Sequence, residues 1–157
     1  MADNRNGQGR LSATERAAVK QRSAELRNEA RAGKAAERRE RDAQACAAAI
    51  EALTGADRTV AERLNAIVTA EAPELLPKTW YGFPSYARDG KVVVFYQPAS
   101  KFGTRYGTVG FSEDARLDDG AAWPVAYAVL AVTEEVEQDL RTLVRRAAGA
   151  SAGQPGA

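Results

Sequence analysis

Two groups of residues in this 157-residue chain have types and spacing that could do chemistry. One is acidic. Glu113, Asp114, Asp118 and Asp119 are the densest run of carboxylates, in a segment that reads as a loop between strands. Oxygen donors of this kind suit hard cations such as Mg²⁺, Ca²⁺ or ferric iron. The spacing is not that of an EF-hand, and Asp119-Gly120 is an ordinary turn dipeptide, so a solvated turn competes with the metal reading. The second group is aromatic. All eleven Phe, Trp and Tyr residues fall between Trp80 and Tyr127. Trp80, Tyr81, Tyr86, Tyr96 and Trp123, with Lys101 and Arg105 from the loop Ser100–Thr108, have the makings of a small-ligand site: aromatic walls, a few polar groups and a cationic rim. Such a site takes a flat or anionic ligand, and a plain hydrophobic core explains the same rings without one.

Other chemistry is narrowed by what the sequence lacks. There is no histidine, which removes the commonest general base and the Ser-His and Cys-His nucleophile systems. No Walker-type loop or dinucleotide glycine fingerprint occurs. No catalytic residue is assigned, and the reading is non-enzymatic. The single cysteine, Cys46, is spaced with Ile50 and Leu53 on one helix face and reads as a buried structural thiol. Net charge is +1, divided unevenly: 11 Lys and Arg against 7 Asp and Glu up to Ala45, then 11 against 14. A basic head on a mildly acidic body follows. Its Lys and Arg alternate with Glu, as on a solvated helix face, so nucleic acid is not the expected partner. No apolar run is long enough to cross a bilayer and no secretory segment opens the chain, so a cytoplasmic protein is expected.

The elements that must position these groups read as an α+β fold. Met1–Arg10 is polar and expected to be disordered. Ser12-Ala13-Thr14-Glu15 is a capping box that starts a helix, with Gly33 as its break, and a second helix runs from about Lys34 to Leu53. Val60, Leu64, Ile67 and Val68 give a one-faced helix, matched near the end by Val136, Leu140, Leu143 and Val144 behind a Thr133 cap. Between these helices lie four strands: Ser85–Arg88, Lys91–Gln97, Thr108–Ser112 and Val125–Val132. The first two are joined at Asp89-Gly90, a strong two-residue hairpin signal. Phe83, Phe95 and Phe111 are assigned to the core. The division expected is a basic extension over 1–41, an α+β domain over 42–149 and a loose tail over 150–157.

Tyr81-Gly82-Phe83-Pro84-Ser85-Tyr86, then Gly90-Lys91 and the apolar Val92–Phe95, form an aromatic-Gly-x-Pro-x-aromatic element followed by a hairpin and strand. Over roughly Val60–Ala147 the chain resembles the YdhG-like family, bacterial domains mostly of unknown function, some regarded as frataxin-like iron chaperones. The resemblance implies a small α+β ligand- or metal-binding domain, with iron as the implied cargo. The competing reading is a protein-interaction or weakly nucleic-acid-associated module working through the basic N-terminal helices.

Overall fold

A computed structural model describes residues 12–149. The expected disorder of Met1–Arg10 and the tail 150–157 lie outside the described residues. The chain divides into two units, Met1–Arg38 and Arg39–Ala157. Helix α1, Ala13–Glu51, contributes to both. Its start is the expected cap, with the Glu15 amide donating to Ser12 Oγ at 3.1 Å. Within the first unit nearly every described residue is exposed, including Val19 and Leu26. The helix is carried by propensity and by pairs such as Arg22–Glu25. Gly33 does not break it. A glycine costs a helix interior about 1 kcal/mol against alanine, which the surrounding Ala-, Arg- and Glu-rich turns offset.

In the second unit, the end of α1 brings Cys46 and Ile50 into the core. Helix α2 spans Gly55–Glu71. An antiparallel meander follows: β1 Leu76–Trp80, β2 Phe83–Arg88, β3 Lys91–Gln97, then the one-turn helix α3 Ala99–Phe102, β4 Gly107–Phe111 and β5 Ala126–Val129. Helix α4, Glu134–Ala147, closes it behind Thr133, whose hydroxyl accepts from the Val136 amide. The expected α+β class holds, with five strands rather than about four. The missed strand is β1. Pro77 disguises it, and a proline is tolerated there because β1 is a sheet edge with only β2 beside it.

One face of the sheet, carrying Tyr86, Val94, Tyr96, Val109, Phe111 and Val129, packs under Val60, Leu64 and Ile67 of α2 and Leu140 and Val144 of α4. The two helices run side by side in one direction, held by Arg63 at the middle of α2 with Glu137 near the start of α4, and by Glu71 with Arg141 and Arg145 near their ends. The guanidinium of Arg145, then that of Arg141, holds the Glu71 carboxyl below the usual carboxylate range. Beneath the helices, burial pushes the Cys46 thiol up, consistent with a structural role. Tyr86 donates its hydroxyl to Asn65 Oδ1 at 2.9 Å, and burial, with Cys46 beside it, raises its own pKa.

Candidate functional site

The opposite face of the sheet collects a different set of rings. Strand parity decides this: Phe95 and Tyr96 are neighbours in β3 and must point to opposite faces. Phe95 pairs across with Ser85 and Gly110, and on that same face Trp80 pairs with Phe83. Phe83 and Phe95, expected in the main core, lie outside the core cluster that contains Tyr86, Tyr96 and Phe111. They form a second nucleus instead. Trp80 meets Phe83 edge-on at 5.7 Å and Phe95 at 5.0 Å, while Phe83 meets Phe102 of α3 at 5.8 Å. Such pairs contribute about 0.5–1.5 kcal/mol each beyond their buried area. Gly110 makes room for this nucleus: a Cβ there would lie 2.2 Å from Phe95 Cζ.

The nucleus ends in an exposed corner. Trp80 and Phe83 flank a two-residue turn whose central residues, Tyr81 (φ 50°) and Gly82 (φ 79°), are both in the left-handed region. That geometry belongs to a type I′ turn, which favours Asn, Asp or Gly at both places. A tyrosine there is strained, yet the residue is 76 % exposed. The ring lies 4.9 Å from that of Trp80. Lys101 Nζ donates to the Tyr81 carbonyl at 3.1 Å and occupies the space a Cβ on Gly82 would need. Trp80 and Phe102 are also partly open, at 36 % and 45 %.

Asp57, at the start of α2, fixes α3 beside this turn. Its Oδ1 accepts from the Tyr96 hydroxyl at 2.7 Å and the Ala99 amide at 2.9 Å, and its Oδ2 from the Ser100 amide at 3.0 Å. Burial opposes the charge, but the hydrogen bonds from the side chain of Ser100, the Tyr96 hydroxyl and the two amides outweigh it and hold the carboxyl at about 2. Burial and the bond to this carboxylate together raise the Tyr96 pKa.

The expected cleft of Trp80, Tyr81, Tyr86, Tyr96 and Trp123 therefore does not form. Trp80 and Tyr81 come together with Lys101. Tyr86 and Tyr96 are each 1 % exposed beneath the helices, on the far side of the sheet. Trp123 lies in the β4–β5 connection, at the opposite end of the strands, packed on the core and lining a hollow with Phe111, Ala115 and Val125. Arg105 does not join the corner through Lys101; its guanidinium sits 5.3 Å from the Tyr106 ring. Sequence spacing placed Tyr86 and Tyr96 with Trp80 because it ignored which face each strand residue must take. Phe95, which lies under the corner, was detectable by the same parity, whereas Phe102, in helix α3, was not. Asp57 gave no such signal, because a first-turn Asp is also an ordinary helix starter.

The acidic set is corrected as well. Glu113, Asp114 and Asp118 share a concavity of about 430 Å³ with Arg88, Lys91 and Arg116, while Asp119 is not part of its lining. Among the described residues no three His, Cys, Asp or Glu side chains converge to hold a metal ion. Cations interleave with the carboxylates, so the run of acids is spent on a mixed-charge surface. Among the described residues no helix is long and apolar enough to cross a membrane. Comparison of the chain with protein-family models, with curated proteins and with solved structures finds no match.

Proposed function

We propose that this is a non-enzymatic, cytoplasmic binding domain of YdhG-like type, and that its working surface is the corner made by Trp80, Tyr81, Phe102 and Lys101. The ligand is flat and anionic. The observation that carries this reading is Tyr81: a bulky ring held out to solvent by a backbone conformation that disfavours it, against Trp80 and beside an ammonium. Strain of this kind persists where the surroundings enforce it, and it gathers at binding sites. The corner offers π-faces, a cation and backbone groups, without carboxylate, thiol or imidazole, which supports recognition rather than turnover. An iron cargo draws no support from the carboxylates, among which Arg88, Lys91 and Arg116 interleave.

Titration with 2-naphthoate and with uridine monophosphate, two flat anions of different chemistry, tests the proposal. Each is followed by quenching of intrinsic Trp and Tyr fluorescence. Saturable binding of at least one, lost on Tyr81→Asn, is expected. Quenching that survives Tyr81→Asn, or its absence with both probes, refutes the proposal.

A further inference from the structure

The segments that build the corner carry charge of one sign. Of the chain's 21 carboxylates, none falls between Lys78 and Arg88 or between Lys91 and Ser112, the segments that build the β1–β2 turn, β3, α3 and β4. Toward the corner end these segments carry Lys78, Lys101 and, in the α3–β4 loop, Arg105, whereas Arg88 and Lys91 lie at the other end of the strands among the acids. Asp89 and the acidic run 113–119 belong to the other end of the strands, and Asp57 is buried with its oxygens already engaged. The net charge of +1 conceals this separation.

Two further side chains on the same face are unspent. Gln97 lies two residues beyond Phe95 in β3, and Thr108 pairs with it two residues before Gly110. Both are half-buried, and among the described residues no hydrogen bond engages either side chain. An amide and a hydroxyl are thus left open beside a row of rings.

From this juxtaposition we propose that the corner binds unpaired RNA, an inference that rests on the reading of the corner as the binding surface. Exposed rings at the end of a sheet can take successive bases by stacking, nearby cations take the phosphates, and uncommitted amides and hydroxyls meet base edges and the ribose 2′-OH. A duplex hides its base faces and cannot stack on Tyr81 or Phe102. A second copy of the chain is the poorer occupant: self-association through this patch would bring Lys78 and Lys101 against their own kind with no carboxylate to receive them.

The test measures affinity of the full chain for a labelled octauridylate by fluorescence anisotropy. The comparison ligands are its deoxy counterpart, an eight-base-pair RNA duplex and uridine monophosphate. The octamer is expected to bind at least tenfold more tightly than the monophosphate and the duplex, and more tightly than the deoxy chain. Its log affinity should fall with log salt at a slope of about −1.4 to −2.1, as two or three phosphate contacts require. Tyr81→Asn and Phe102→Ala, both at exposed rings, should each weaken it at least fivefold, and Gln97→Ala should shrink the preference over the deoxy chain. An octamer no tighter than the monophosphate overturns the RNA inference while leaving the small-ligand reading intact. Equal affinity for duplex or deoxy chain overturns it too, as does binding indifferent to Tyr81→Asn, which would place RNA elsewhere on the molecule. Failure of the octamer, the monophosphate and 2-naphthoate alike removes both readings.

Discussion

Replacing Asp57 by Asn tests whether one buried carboxylate holds the corner in place. In the native protein its two oxygens serve three donors, at 2.7, 2.9 and 3.0 Å. An Asn can offer one oxygen, and its amide nitrogen then faces a donor with another donor. Two consequences add. A charge-assisted set becomes neutral, and at least one of the Tyr96 hydroxyl and the Ala99 and Ser100 amides is left unmet. A buried unmet donor costs about 1–3 kcal/mol. We therefore expect Asp57→Asn to destabilise the fold by about 2–3 kcal/mol at pH 7, a fall in Tm of roughly 8–12 °C for the second unit.

Part of that cost depends on pH, and its sign is fixed. The folded carboxyl is held at about 2, below its ordinary 3.8. Its contribution is therefore full above about pH 5 and is lost as pH falls through 4 toward 2. The whole difference corresponds to about 2 kcal/mol. Water reaching the rim of the site screens it, leaving about 1–2 kcal/mol. Urea unfolding of both proteins at pH 7 and at pH 2.5 reads this out: the gap between them should narrow by that amount in acid. Tyr96→Phe should cost about 1 kcal/mol alone, and much less in the Asp57→Asn background, because the two mutations remove one shared bond. A gap under about 0.5 kcal/mol at pH 7, or one that pH does not change, would refute the reasoning.

Three other outcomes are expected. Tyr81→Asn, which suits the left-handed turn that tyrosine resists, should raise stability by about 0.5–1 kcal/mol in urea unfolding while abolishing ligand binding; a loss of stability would mean the turn is not strained. Gly110→Ala should destabilise by about 1–3 kcal/mol, because its Cβ would intrude on the Phe95 ring at 2.2 Å; calorimetry of the variant checks it. Removal of residues 1–38 should move Tm by less than about 3 °C, since the described part of that unit is almost wholly exposed and buries little on folding.

The sequence was most legible where one local signal sufficed. Helix α2 and helix α4 declared themselves by apolar spacing, the start of α1 and that of α4 by a capping hydroxyl, and the β2–β3 hairpin by Asp89-Gly90. It misled where local cost and tertiary context disagree. Gly33 looked like a stop, yet neighbouring turns carry the helix past it, and Pro77 hid a strand that an edge position permits. Both are cases of a modest local penalty met by its surroundings.

The site was harder to read, because a cluster in sequence is divided by a sheet in space. Nine aromatic residues lie between Trp80 and Phe111, and β-strand parity sends Tyr86 and Tyr96 under the helices while Phe83 and Phe95 go to the other face. Helices α2 and α4 cover the first face. On the second, the rings must cover each other, and a cluster closed only by its own members exposes some of them. The strained Tyr81 turn makes that exposure larger than packing requires, and Asp57, pinning α3 from the opposite side of the sheet, keeps Lys101 and Phe102 beside it. The buried tyrosine that seemed to belong to the pocket thus serves it indirectly: Tyr96 shares with α3 the carboxylate that sets the position of the corner.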